Sequence, residues 1–209
     1  MKLRVTSIDD HTLDDIFESC RTCVYWERPE EHRKAATEEA EVLKAEWFRA
    51  TAEAWGPCGK LLYVPESTEC GSAGASPSQA SPSLRTEHQA PCTETPAAYC
   101  QFAPPKHVPG ISGYDELAAQ VDPDAVFITC LCVREGYQGR GLGPMLLKEV
   151  VEDLSNRGCK AVETFARDDS DNNPSGPTKL YLRHGFKVIV TRAWPEGTFS
   201  RVRMELGRG

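Results

Sequence analysis

Ala125-Val-Phe-Ile-Thr-Cys-Leu-Cys-Val133, Arg134-Glu-Gly-Tyr137, Gln138-Gly139-Arg140-Gly141-Leu142-Gly143 and then Pro144 form the run that decides how this chain folds. Its first nine residues carry almost no polar interruption, which predicts a central strand covered on both faces. The glycines predict a tight turn, and Pro144 suits the first turn of a helix that runs to about Arg157 and is closed by Gly158. Leu147, Val150, Val151 and Leu154 recur at helical spacing and fix that helix to a sheet. Glycines between a strand and a helix start make an anion cradle, because the backbone turns tightly and the first helical amides lack intrahelical partners. The competing reading is an ordinary strand-to-helix turn. Two familiar phosphate motifs are excluded: the loop lacks the Lys-Ser/Thr ending of a P-loop and the register and later acidic residue of a dinucleotide fold.

Working outward, Ala161 to Ala166 predicts a strand, Pro177 to His184 a short helix closed by Gly185, and Phe186 to Thr191 and Phe199 to Leu206 two more strands. On the N-terminal side, Leu3-Arg-Val-Thr alternates like a first strand and Thr12 to about Cys23 reads as a short helix. A longer helix follows, with Pro29 in its first turn. Ala36, Ala40, Leu43, Trp47, Ala50 and Ala54 mark its apolar stripe until Gly56-Pro57 stops it. Gly113 to Gln120 forms a helical turn. The whole predicts an α/β fold with a mixed sheet of about seven strands and helices on both faces.

Length bounds the domain count: 209 residues suit one compact domain, 1–209, with an appendage. The appendage is legible. Between Pro65 and Pro96 there are five Pro, six Ser and two Gly, and Leu84 is the only large apolar side chain, so nothing there anchors a core. Gly59-Lys-Leu-Leu-Tyr-Val64 and Ala97-Ala-Tyr-Cys-Gln-Phe102 flank it as strands, so the 65–96 insert is read as a disordered replacement for a hairpin turn.

Lys plus Arg number 24 against 31 Asp plus Glu, so the net charge of −7 argues against a general affinity for nucleic acid or an anionic membrane. No stretch has the length of a membrane span or the apolar core of a secretory signal, which predicts a cytoplasmic protein. Nine cysteines are an odd count, and Cys130 and Cys132 lie on one face of the central strand, so reduced thiols are expected and no metal is assigned. Cys20-x-x-Cys23 leaves a redox or zinc switch as an alternative.

The loop, with Gln138, Gly141 and Gly143 in the pattern Q/R-x-x-G-x-G/A, resembles that of the GNAT superfamily of acyl-CoA-dependent N-acetyltransferases. Tyr181-Leu-Arg-His-Gly185-Phe186 resembles the family's Tyr-x-x-x-Gly-Phe. The likeness extends over nearly the whole chain except the insert. One departure stands in Asn172-Asn173-Pro174-Ser-Gly-Pro177, which delays the helix that carries Tyr181 and argues against cofactor contacts from Asn173. The resemblance implies that acetyl-CoA rests its diphosphate on Gln138, Gly139, Arg140, Gly141, Leu142 and Gly143. It also implies that the pantetheine arm pairs with backbone groups at Leu131 and Val133, where the strand splays from its neighbour.

An alkylamine acceptor is almost wholly protonated at neutral pH, so the chemistry needs a proton acceptor. Glu163, on the strand beside the slot, and Glu27, where the first helices meet, are the candidates. A solvated strand carboxylate and a helix-start residue are the bland readings of each. Tyr181 matches the family tyrosine that returns a proton to the departing sulfur. Tyr25, Trp26 and Glu27 suit a cationic amine, with helix-junction packing as the alternative. The expected reaction is direct acetyl transfer to a primary amine of a small molecule or peptide, in a monomer or homodimer. A non-catalytic acyl-CoA-binding module is the rival.

Overall fold

The computed structural model describes residues 3–65, 94–119, 121–170 and 173–207. The proposed insert falls almost wholly outside them. The strands on either side are present: β1 (Arg4–Ser7), β2 (Gly59–Pro65) and β3 (Glu94–Ala103) pair antiparallel in sequence order, and Pro65 faces Glu94. The other strands are β4 (Val126–Val133), β5 (Ala161–Arg167), β6 (Lys187–Trp194) and β7 (Gly197–Glu205). They form one seven-stranded sheet in the order β1-β2-β3-β4-β5-β7-β6, with β4 and β5 parallel. The apolar run from Ala125 is therefore the middle strand, buried on both faces as its composition predicts.

The helices are α1 (Glu18–Arg21), α2 (Thr37–Trp55), α3 (Asp115–Ala118), α4 (Leu142–Asn156) and α5 (Thr178–Arg183). On one face α4 buries Leu142, Leu146, Leu147, Val150 and Leu154 against β2, β3 and β4, and each fully buried side chain contributes about 1.5–3 kcal/mol. It ends at Gly158, whose φ of 75° permits the left-handed cap, while the Cys159 N–H donates back to the Leu154 carbonyl. On the other face Trp47 and Phe48 of α2 join Trp26, Phe127 and Phe165 in a second core. Trp47 therefore serves packing, and its indole N–H donates to the His107 carbonyl at 2.7 Å.

Two helix assignments are corrected. The segment from Thr12 to Cys23 is not one helix but a 3-10 turn at Leu13–Asp15 followed by the single turn of α1. The helix expected from Pro29 begins only at Thr37, with Pro29 in a run of turns before it. Its buried face is Ala40, Lys44, Trp47, Phe48 and Thr51, whereas Ala50 and Ala54 are exposed. Alanine fits either environment, and the alanines therefore misdirected the reading of the stripe.

β4 carries an irregularity that places the site. Gln101 pairs with Cys130 and the next residue, Phe102, pairs with Ile128, so Thr129 is an extra residue in the β4 strand. Alternation restarts beyond it: Val126 and Ile128 face the α4 core, and so do Leu131 and Val133, while Cys130 and Cys132 share the opposite face.

Candidate active site

The glycine loop leaves the end of β4 and enters α4. Gly136, Gly139 and Gly141 have φ of 81°, 73° and 77°, and a Cβ at any of them would meet open space. Backbone conformation, not crowding, therefore demands glycine here. The first turn of α4 has no side-chain cap and no acidic residue, so its N–H groups and dipole meet no carboxylate of their own turn that would repel an anion. Gln138 donates to the Val133 carbonyl at 3.3 Å and braces the loop, and Arg140 lies 5.1 Å over the Tyr137 ring, with its side chain on the open side.

Beside the loop the sheet opens. β4 and β5 pair only at Val126–Val162 and Phe127–Glu163, and beyond them the strands separate. Thr164 Oγ1 reaches across to the Ile128 carbonyl at 2.8 Å. Further along, the segment 173–176 fills the gap: Ser175 Oγ donates to the Thr129 carbonyl at 3.2 Å, and the Leu131 N–H donates to the Pro174 carbonyl at 2.6 Å. The Leu131 amide, expected to be open, is thus engaged by the chain itself. The Arg134 N–H bonds back to the Ala97 carbonyl on β3, so the alternating register turns the Val133 N–H toward the gap.

Tyr181 lies on α5 directly under that segment. It is fully buried and donates its O–H to the Ser175 carbonyl at 2.5 Å. Burial, then the nearby Cys100 thiol, pushes its pKa well above the ordinary phenol value, so it keeps its proton and acts as a donor. The two donors expected to face a thioester, Leu131 N–H and Tyr181 O–H, converge on neighbouring carbonyls of one short segment.

Of the carboxylates, Glu163 sits in the closed part of the β4–β5 pair. It is buried, bonded to Arg203 Nη1 at 2.7 Å and near Arg201 Nη1 at 3.9 Å. Phe127, its partner on β4, and Leu131 face Ala103 and Cys100, three residues apart on β3 and so about 10 Å along a strand. Glu163 is therefore spent on an ion pair at a distance from the two donors. Glu27 stands closer. Its Oε1 accepts from Lys44 Nζ and from Gln101 Nε2, each at 2.5 Å, while its Oε2 is buried without a hydrogen-bond partner. Gln101 is the register partner of Cys130, next to Leu131, and its Oε1 also accepts from Tyr99 O–H. Burial works against the charge on Lys44, yet the Glu27 carboxylate outweighs it and holds the ammonium above its usual pKa.

Tyr25 and Trp26 share the turn with Glu27. Trp26 is buried and stacks on Tyr114 with centroids 5.4 Å apart, so it packs the junction; Tyr25 is half-buried, 5.2 Å from Trp26 edge to face. Sequence reading missed Lys44, Gln101 and the Pro174–Ser175 segment. A lysine spaced with Ala40, Trp47 and Thr51 on one helical face was the available signal for the first. Among the described residues no group of three or more His, Cys, Asp or Glu side chains is placed to hold a metal ion.

The sequence matches the model of the acetyltransferase (GNAT) family over residues 14–186. Solved structures share the fold at low identity. YncA from Salmonella typhimurium, determined with its cofactor acetyl-CoA, has a TM-score of 0.58 and 14% identity, covering 100% of this chain and 96% of that one. An N-acetyltransferase from Staphylococcus aureus Mu50 scores 0.57 at 12% identity, over 99% of this chain and 100% of the other. A GNAT-family acetyltransferase from Streptococcus pneumoniae scores 0.55 at 13%, with 99% and 100% covered. No curated protein matches the sequence. With the family match spanning the glycine loop, the splayed strands and Tyr181, the chain belongs to the GNAT acetyltransferase family.

Proposed function

We propose that the protein transfers an acetyl group from acetyl-CoA to a primary amine, by direct attack with both substrates bound. The observation that carries the reading is the glycine loop of left-handed residues opening onto an uncapped α4, at the end of a strand that splays from its parallel neighbour. The loop residues fit a diphosphate: Gln138 to Gly143 offer main-chain donors, the helix start favours negative charge, and no side chain closes the space around Gly139 and Gly141. Acetyl-CoA supplies an activated thioester.

The chain's own groups then divide the work. The Val133 N–H faces the gap for the arm, and the Leu131 N–H reaches the thioester oxygen once the Pro174 carbonyl releases it; one such donor is worth roughly 3–4 kcal/mol where charge grows in the transition state. Tyr181, with its pKa raised by burial, keeps the proton that a departing thiolate needs. Of the two carboxylates, Glu27 is the better proton acceptor, because its Oε2 has no hydrogen-bond partner and its Oε1 is held by Gln101, the register partner of Cys130. Glu163 orders Arg203 and Arg201 instead. Half-buried Tyr25 supplies an aromatic ring whose face suits a cationic amine. The acceptor is a small-molecule or peptide amine, and the thiol content suits a reducing cytoplasm.

Calorimetric titration with acetyl-CoA tests the cradle, and thiol release against a panel of amines tests the transfer. Saturable heat with acceptor-dependent release supports the reading. Heat without release on any amine favours an idle acyl-CoA-binding module, and absence of both sinks the assignment.

A further inference from the structure

Four polar side chains are buried together on the α2 side of the sheet: Lys44 from α2, Tyr99 and Gln101 from β3, and Glu27 from the turn that also holds Tyr25 and Trp26. They bond only in one order. Tyr99 O–H donates to Gln101 Oε1 at 2.5 Å, and Lys44 Nζ donates to the same oxygen at 3.2 Å. Gln101 Nε2 and Lys44 Nζ each donate to Glu27 Oε1 at 2.5 Å, while Glu27 Oε2 accepts nothing.

Donor chemistry dictates that order. An ammonium has three hydrogens and no lone pair, so the atom of Gln101 beside Lys44 must be an acceptor. Burial raises Tyr99 well above an ordinary phenol, and its O–H therefore stays a donor to the same atom. Gln101 Oε1 is thus turned toward Lys44 and Tyr99, which leaves its NH2 group to face the carboxylate; the flipped amide would set hydrogens against the ammonium. The outcome is a carboxyl group with two donors on one oxygen and none on the other. A buried acceptor left bare costs stability, and such a cost has a use where a proton must be taken up.

We propose that Gln101 and Lys44 are positioning residues, which anchor one oxygen of Glu27 so that the other serves as base for the acceptor amine; this rests on the reading of Glu27 as the proton acceptor. In the step, an N–H bond of the acceptor ammonium breaks, its electron pair stays on nitrogen for attack on the thioester, and an O–H bond forms at Glu27 Oε2. The anchors favour the charged carboxylate where burial favours the neutral acid. The other titratable groups around Glu27 are Tyr99, Cys20 on α1, Cys23 after it, Cys58 before β2 and Cys130 on β4. Burial raises Cys23, Cys58 and Cys130, so these thiols keep their protons, and Cys20 is lowered, chiefly by its Cys132 neighbour. Among these groups Lys44 alone is cationic.

The full-length protein carrying 13C-labelled glutamate carboxyls, with Glu27 assigned by its loss in Glu27→Gln, is titrated by NMR beside the pH profile of kcat/KM. In Gln101→Met the Glu27 midpoint is expected to rise by about one pH unit and the acid limb of kcat/KM to rise with it, since a carboxylate short of a donor takes its proton sooner as pH falls. The calorimetric Kd for acetyl-CoA stays unchanged, which a general loosening of the core would not allow. Tyr99→Phe frees Gln101 Oε1 from one anchor and moves the midpoint the same way by a smaller step; it carries the test if Gln101→Met does not melt cooperatively. Unmoved midpoints overturn the proposal whatever the rates do. A moved midpoint beside an unmoved rate limb, or beside no turnover on any amine, overturns Glu27 as the base while its anchoring stands, so the two failures are told apart.

Discussion

Tyr181 and Glu27 show how one side chain's surroundings set its chemistry. Tyr181 donates to the Ser175 carbonyl and has no solvent exposure. Replacing it with Phe removes one hydroxyl from the core; kcat is expected to fall at least about tenfold, with acetyl-CoA affinity little changed. Steady-state thiol release with a calorimetric Kd separates the two, and an unaltered kcat removes the acid role. Lys44 is a different case, because Glu27 and Gln101 hold it where no solvent reaches. Lys44→Met leaves the Glu27 carboxylate buried without its counter-charge, and unfolding free energy is expected to drop by about 3–5 kcal/mol in denaturant titration. The double substitution Lys44→Met with Glu27→Gln removes both charges and regains a large part of that loss. Glu27 was readable as a candidate because it adjoins two aromatics in a turn. Its partners were not, since Lys44 in a helix and Gln101 in a strand look solvated until tertiary packing covers them.

At the scale of the element, the run from Ala125 to Gly158 was legible throughout. Hydrophobic pattern gave β4 and α4, and glycines gave the turn and the stop, because in these segments local preference and burial point the same way. The N-terminal helices were read less well. Pro29 carries a helix-start signal, but the chain from 28 to 34 forms turns that deliver Tyr25, Trp26 and Glu27 to the core before α2 begins. The extra residue at Thr129 left no signature either, since a bulge shows only as a register shift between two strands. For the loop, Gly141→Ala places a Cβ on a residue with φ of 77° and costs about 1–2 kcal/mol if the turn is kept. With open space around that Cβ, the strain is relieved by re-aiming the loop. Acetyl-CoA affinity is expected to weaken about tenfold, a loss comparable to that strain, while far-ultraviolet circular dichroism stays unchanged. Equal Kd values for the two proteins would detach the loop from cofactor binding.

For the molecule as a whole, the mixed seven-stranded sheet and its two helical layers follow from composition and period, whereas the placing of β7 between β5 and β6 depends on pairings far apart in the chain. Because Pro65 and Glu94 are register partners, a short Asn-Gly turn replacing residues 66–93 closes the β2–β3 hairpin. The shortened protein is expected to retain its melting temperature within a few degrees and its calorimetric Kd for acetyl-CoA, and loss of cooperative melting would show that the segment belongs to the folded unit.

The carbonyls of Pro174 and Ser175 already satisfy the Leu131 N–H and the Tyr181 O–H, so the thioester of the proposed reaction would compete with a piece of the same polypeptide for both donors. Affinity is then scaled by the fraction of molecules whose rival carbonyls have let go: a fraction of about 1% weakens binding about a hundredfold. Withdrawal before docking also caps the speed of capture. In stopped-flow mixing the observed rate should climb with acetyl-CoA and then level off at the rate of that withdrawal, whereas a strictly linear rise would mean that no such withdrawal limits capture.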